Sequence, residues 1–354
     1  MNKVLTPVRR LRPAAPNARL GPIMPEKSSD PAPCAVAATP PHQANAAGET
    51  RRVGIEIEFS DVPLDRAAEI TADLFGGTVS REAPFHLSVS GTRFGDFEIE
   101  LDSQYAQPGD DPAAPSAAMR DKLAELVGEV SKAVVPSEIT CPPIAFDHIG
   151  EIAGLIDALA GAGASGTDAS PLYAFGLQLN PEVSALDVAA LLPVIRAYML
   201  LSDALRAAIE VDTLRALLPF ANAFPLSYRQ RVVNPDYKPD RDQLIDDYLA
   251  ANATRNRELD LLPLFAHIDE NRVRAVIDDP RIKPRPTYHY RLPNARFDCG
   301  GAQLIREWNR WIAVERLAAD TDALETLGRA FVEETIAGFD AADWAARTAN
   351  RLAP

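Results

Sequence analysis

Cysteine is scarce. The 354 residues hold three, Cys34, Cys141 and Cys299, too widely spaced for a paired metal motif and odd in number for a disulfide framework. That excludes a disulfide-stapled scaffold or a cysteine-rich zinc module, and a reducing cytoplasm is the expected compartment. Positive charge is short as well: 36 Lys and Arg stand against 50 Asp and Glu, for a net charge of −14. Non-specific nucleic-acid binding needs a surplus of cations to displace counterions, so no nucleic-acid partner is expected. No uninterrupted apolar run approaches the roughly 20 residues of a membrane helix, so no membrane partner is expected either. The basic start MNKVLTPVRRLRP lacks the apolar stretch of a secretory signal. Missing too are G-x-G-x-x-G after a strand, a Walker-type G-x-x-x-x-G-K and a G-x-S-x-G elbow, which excludes the usual nucleotide-loop and hydrolase signatures.

What is present falls into two parts. Residues 1–50 are rich in proline and alanine and have no periodicity, which predicts an extended leader unable to bury enough surface to offset its ordering entropy. Residues 51–354 are expected to form a single catalytic domain with a helical C-terminal part. Its opening run, VGIEIEFS at 53–60, alternates apolar and acidic residues, as a strand with two unlike faces does. Helical periodicity marks 64–77, 119–135, 147–163, 185–211, 241–251, 257–278, 302–320 and 322–337. A hairpin is expected over 85–104, a strand broken by proline over 134–144, and further strands at 171–183 and 285–294. Hairpins mixed with long helices predict an α+β fold with a largely antiparallel sheet.

The acidic alternation recurs. In DFEIELD, Glu98 and Glu100 oppose Phe97, Ile99 and Leu101; in VPSEITCPP, Glu138 stands alone among small and apolar residues; in FGLQLNPE, Gln178 and Asn180 share a face opposite Leu177 and Leu179. Any one such strand is ordinarily a solvated face. Glu56 and Glu58, at i and i+2, repel by roughly 2–3 kcal/mol at an effective dielectric near 20 unless water or cations intervene, and oxygen-only ligand sets suit Mg²⁺ or Mn²⁺. The residues alone leave both readings open.

Taken together, RRVGIEIEFSDVP, a helix ending in FGG, FEIELD, VPSEITCPPI and FGLQLNPE resemble the amidoligase family, a branch of the carboxylate–amine ligases with the glutamine synthetase and glutamate–cysteine ligase fold. SYRQRVVNPDYKPD, NATRNRELDLLPLF, RPTYHYRLPN and REWNRWIAVERLAAD continue the likeness in order to about residue 320. The resemblance implies a bent antiparallel sheet lining an ATP site, with divalent metal between sheet carboxylates and phosphates. Carried over, it makes Glu56, Glu58, Glu100 and Glu138 metal ligands, with Glu98 a weaker candidate. Two departures stand out. Gln178 and Asn180 occupy positions where the larger superfamily has histidines, with Asn180 assigned to the nucleotide side. His289 replaces a carboxylate in a late E-x-R element, so His289 becomes a metal candidate and Arg291 keeps a phosphate-binding role.

Phosphoryl transfer to a carboxylate needs cations on the phosphate oxygens, and arginine's planar fork suits them. Arg229 and Arg291 are the candidate catalytic cations, and Arg229, Arg231, Lys238 and Arg291 the candidate nucleotide-binding ones; Arg229 and Arg231 are expected on a strand face or loop rim. The implied function is an ATP- and Mg²⁺-dependent ligase joining a small amino acid or peptide carboxylate to an amine through an acyl phosphate. For relatives a glutamine amidotransferase-like partner feeding ammonia is inferred, and the resemblance extends that expectation here. Two other readings stay open: a metal-dependent amide hydrolase on the same acidic sheet, and a nucleotide-binding descendant without catalysis. Trp308 and Trp311, at i and i+3, read as a core stripe rather than a substrate platform.

Overall fold

A computed structural model describes residues 36–101, 136–167, 169, 175–209 and 221–353. The leader up to residue 35 and the helix expected at 119–135 lie outside the described residues. Eight strands form one antiparallel sheet: Arg52–Phe59 (β1), Thr78–Ala83 (β2), His86–Thr92 (β3), Gly95–Leu101 (β4), Ser137–Ala145 (β5), Leu177–Pro181 (β6), Leu259–Asp260 (β7) and His289–Tyr290 (β8). Their spatial order is β2-β3-β4-β5-β1-β6-β8-β7. Ten α-helices accompany them among the described residues: Leu64–Phe75 (α1), Ile149–Gly161 (α2), Val188–Ile209 (α3), Leu226–Val233 (α4), Arg241–Ala251 (α5), Leu262–Ile268 (α6), Glu270–Arg274 (α7), Ala302–Ala319 (α8), Thr321–Ala337 (α9) and Ala341–Thr348 (α10). The fold is α+β, as the alternation of hairpins and helices predicts.

Period-2 patterning decides which way each strand faces. Val53, Ile55, Ile57 and Phe59 are fully buried, and so are their neighbours Ile139, Leu177, Leu179, Phe97 and Ile99. A one-residue slip would turn all of these to the opposite face, so burial fixes the register. Three helices meet this apolar side. Phe75 of α1 stacks on Phe97 at 5.3 Å, α2 packs between α1 and α8, and Trp311 of α8 lies 5.8 Å from Tyr290 of β8. Trp308 and Trp311 are buried in this layer, as their spacing predicts. Gly301, just before α8, sits so close to α2 that a Cβ there would lie 2.2 Å from the Ala153 carbonyl oxygen.

Several expectations change. Pro142 and Pro143 do not break the 134–144 strand; β5 runs through them. The irregularity falls opposite Gly54, where β1 shifts register, and β4 stops pairing with β5 at Thr140, so neither proline has to donate to that ladder. The helix expected over 257–278 resolves into β7, α6 and α7. SYRQR lies on α4, not on a strand face or loop rim. Strand β2 and helix α10 carry no expectation from the sequence; β2 is exposed throughout, so no buried face marks it.

Helix α3 is long and apolar enough to cross a membrane by length and composition. Its contacts here are those of a core helix. Trp344 Nε1 of α10 donates to the Leu200 carbonyl, and Arg196 donates to the carbonyls of Val232 and Asn234. Residues 36–50, within the expected leader, lie on the fold: Ala38 N–H donates to Asn309 Oδ1, and Trp308 Nε1 donates to the Ala38 carbonyl. Arg51 ends this segment, buried, with two bonds to Glu315 at 2.8 and 2.7 Å and others to the carbonyls of Glu182 and His42.

Candidate functional site

The face of the sheet opposite the apolar helices carries its acidic residues, and the strand register sets them in rows. Residues directly opposite on antiparallel strands point to the same side. In one row His86, Glu100, Glu138 and Glu58 follow one another across β3, β4, β5 and β1. In the next, Ser88, Glu98, Thr140, Glu56 and Gln178 run from β3 to β6. A third begins with Gly54 opposite Asn180. The pairing of Leu179 with Tyr290 then brings Asn180 beside His289 and Gln178 beside Arg291, and His289 is opposite Asp260. Charge therefore changes sign along the sheet. Carboxylates occupy β4, β5 and β1, neutral amides β6, imidazole β8, and the guanidinium of Arg291 follows β8 directly.

Local bonds orient these groups. Glu58 Oε2 accepts the Gly176 N–H at 2.7 Å, Asn180 Nδ2 donates to Glu56 Oε1 at 2.8 Å, and Thr140 Oγ1 donates to Glu138 Oε1 at 3.3 Å. Glu98 is held 2.6 Å from His86 Nε2. On the other flank Arg291 Nη2 lies 3.3 Å from Asp260 Oδ2, while Asp260 Oδ1 accepts the Leu262 N–H at 3.0 Å. Burial raises the Asp260 carboxyl above its ordinary range, against the opposing pull of Arg291, the Leu262 N–H and Arg255. Burial also holds the His289 imidazole well below its ordinary range, and Arg291, Arg285 and Arg255 push the same way. Arg255 is half-buried and makes no hydrogen bond or ion pair among the described residues; burial, then repulsion from Arg291, lowers it.

Of the sequence-derived residues, Glu56, Glu58, Glu100, Glu138, Asn180, His289 and Arg291 share this face. Arg229, Arg231 and Lys238 belong elsewhere. Arg229 is buried on α4, bonded to Asp203 at 2.5 Å and the Met199 carbonyl, with its guanidinium 4.8 Å from the Phe331 ring centre. Arg231 pairs with Asp247 of α5 at 2.7 Å, and Lys238 is exposed. The geometry thus gives Arg229 and Arg231 internal partners within the helical layer. Asp260 and Arg255 join the site instead. In sequence, NATRNRELD reads as the start of a helix whose arginines pair with Glu258 and Asp260; the two-residue strand β7 forms there instead, too short for its alternation to register.

A family model described as "Putative amidoligase enzyme" matches residues 49–313. The chain belongs to the amidoligase family. The family is one of amide-bond-forming ligases, and the match covers every residue of the sheet face described above. No curated protein and no solved structure matches the chain.

Whether the face suits a divalent cation is a question of donors. Among the described residues no three His, Cys, Asp or Glu side chains converge into a closed metal cluster. Mg²⁺ does not require one: it keeps several waters and is held by one or two carboxylates plus substrate phosphates. Glu58 and Glu138, opposite one another with Glu100 alongside, supply hard oxygen donors of that kind. His289 suits a cation less well, because three arginines act on it.

Proposed function

We propose that this amidoligase is an ATP- and Mg²⁺-dependent carboxylate–amine ligase working through an acyl phosphate, with an amino acid or small peptide as substrate. The observation that carries the reading is the change of charge along one sheet face, from opposed glutamates on β5 and β1 to Arg291 directly after β8. Adjacent strands are about 4.8 Å apart, so that face spans roughly 15 Å from β5 to β8. This is room for a polyphosphate beside a carboxylate. Glu58 and Glu138, with Glu100 and Glu56 beside them, would hold the metal, which supplies charge neutralisation at the phosphate oxygens. Arg291, braced by Asp260, and Arg255 would take the anionic groups that the glutamates repel. The γ-phosphoryl passes to a carboxylate oxygen and ADP leaves. The amine then forms the C–N bond, the C–O bond to phosphate breaks, and the nitrogen gives up one proton to solvent.

The test is an ¹⁸O-labelled carboxylate panel incubated with ATP, Mg²⁺ and amines. Label recovered in inorganic phosphate supports the reading, with Glu58→Gln and Glu138→Gln losing it. Amide cleavage without ATP, or nucleotide binding with no label transfer across the panel, overturns it.

A further inference from the structure

Three buried polar atoms lie together on this face without a hydrogen-bond partner among the described residues. Gln178 Oε1, Asn180 Oδ1 and His289 Nε2 make no hydrogen bond among the described residues, although the side chains are on residues only 7%, 3% and 6% exposed. Unpaired buried polar atoms cost about 1–3 kcal/mol each. With the imidazole proton on Nδ1, the two amide oxygens and Nε2 are three acceptors in adjacent register positions that call for an external donor. The orientation of Asn180 is fixed by its neighbour. Glu56 as a carboxylate can only accept, so Asn180 must turn Nδ2 to it and Oδ1 away.

The geometry points to an amine subsite here, in which N–H groups of the amine substrate donate to Gln178 Oε1, Asn180 Oδ1 and His289 Nε2. This assignment rests on the ligase reading above and names where the nucleophile sits. The charge around the atoms selects the form of the ligand. Arg291, Arg285 and Arg255 all act on His289 and oppose an ammonium or a metal ion placed against Nε2. The two nearby carboxylates are already engaged, Asp260 with Arg291 and Glu56 with Asn180. An uncharged amine escapes that penalty and still brings two N–H donors, or three for ammonia. With its hydrogens held by the acceptors, its lone pair is left for the acyl carbon. The position fits the order of groups, because β6 separates the glutamates of β1 from His289 of β8 and Arg291 directly after it.

Hydroxylamine, largely uncharged at neutral pH, is the probe, and methylammonium its charged counterpart. The full chain, labelled with ¹⁵N at its five histidines, is titrated with each by NMR in the absence of ATP, and the His289 signal is assigned by its loss in His289→Gln. The expected result is a saturable shift of His289 Nε2 with hydroxylamine and little with methylammonium. Gln178→Glu should reverse that order by about tenfold, since a carboxylate favours the cation. Gln178→Met, which keeps the length and removes the acceptor, should weaken hydroxylamine and provides the second arm if the glutamate variant does not fold. A His289 signal unmoved by hydroxylamine overturns the assignment, and so does one moved equally by Mg²⁺ alone. Because this arm contains no nucleotide, it separates the two readings. Hydroxylamine binding with no ¹⁸O transfer removes the ligase mechanism and leaves the subsite, whereas ¹⁸O transfer with a silent His289 removes the subsite alone.

Discussion

Glu58 stands directly opposite Glu138 on neighbouring antiparallel strands, and Glu138 stands directly opposite Glu100 on its other side. Direct partners have Cβ atoms about 4.5–5.5 Å apart, and like charges so placed destabilise a sheet. At 5 Å and an effective dielectric near 20, the repulsion of each pair approaches about 3 kcal/mol before solvent screening. The half-exposed position of Glu138 reduces that figure but not its sign.

Glu138→Gln should therefore stabilise the metal-free chain, by up to about 1 kcal/mol. Mg²⁺ should raise the stability of the natural protein and leave the variant unchanged. Urea denaturation with and without Mg²⁺ reads both effects. Equal stabilisation of the two proteins by Mg²⁺ would remove Glu138 from the cation site.

Arg229 makes a contrasting case. Its removal leaves Asp203 nearly buried and unpaired and strips the guanidinium from Phe331. Arg229→Ala is expected to cost about 3–5 kcal/mol of folding stability. Ligand affinity in the fraction that remains folded should not change. A loss of tripolyphosphate binding with stability intact would contradict this and return Arg229 to the site.

The prediction for Arg255 runs the other way. Arg255→Gln breaks no bond among the described residues, and its relief of repulsion with Arg291 offsets the lost attraction to Asp260 and Asp279, so the stability of the fold should change little. Tripolyphosphate affinity, measured calorimetrically, should fall about tenfold, the usual scale of one charge-assisted contact. Unaltered affinity would show that the guanidinium does not face the anion.

His289 should contribute a pH dependence of known sign. Its folded-state pKa lies well below the ordinary value, through burial and then through Arg291, Arg285 and Arg255. Below about pH 6.5 the unfolded chain takes up a proton there that the folded chain refuses, so stability falls as pH falls. Above that pH the residue contributes nothing. The slope is about 1.4 kcal/mol per pH unit until the lowered folded pKa is reached. Denaturation at pH 7.5 and 5.5 should show it in the natural chain and its loss in His289→Gln; identical slopes would mean that the imidazole is not held neutral.

The sheet was legible because alternation is a two-residue signal that survives in short segments. Ile55 and Ile57 inward, with Glu56 and Glu58 opposite, can be read directly from IEIE, and so can Phe97, Ile99 and Glu100 from FEIEL. Helices with one apolar stripe, α1, α5, α8 and α9, were equally plain. Near Arg229 the sequence was uninformative. LSYRQRVV buries Tyr228, Arg229, Val232 and Val233, and a buried arginine breaks the stripe that would mark a helix. The site divided in the same way. Carboxylates on long strands could be placed, but the fate of each arginine depended on whether a distant acid met it. Asp203 meets Arg229 and Asp247 meets Arg231, whereas Arg255 makes no ion pair among the described residues and feels Asp260 and Asp279 only at a distance.

The ordering of β5, β1, β6 and β8 has one more effect. A ligand that is cation-bound at one end and anionic at the other can lie along this surface in one sense only. Turned end for end, it would set acid against acid at Glu138 and cation against cation at Arg291. Polarity of approach is thus written into strand sequence, ahead of any pocket shape, and a single charge reversal at either end would leave the opposite end still choosing.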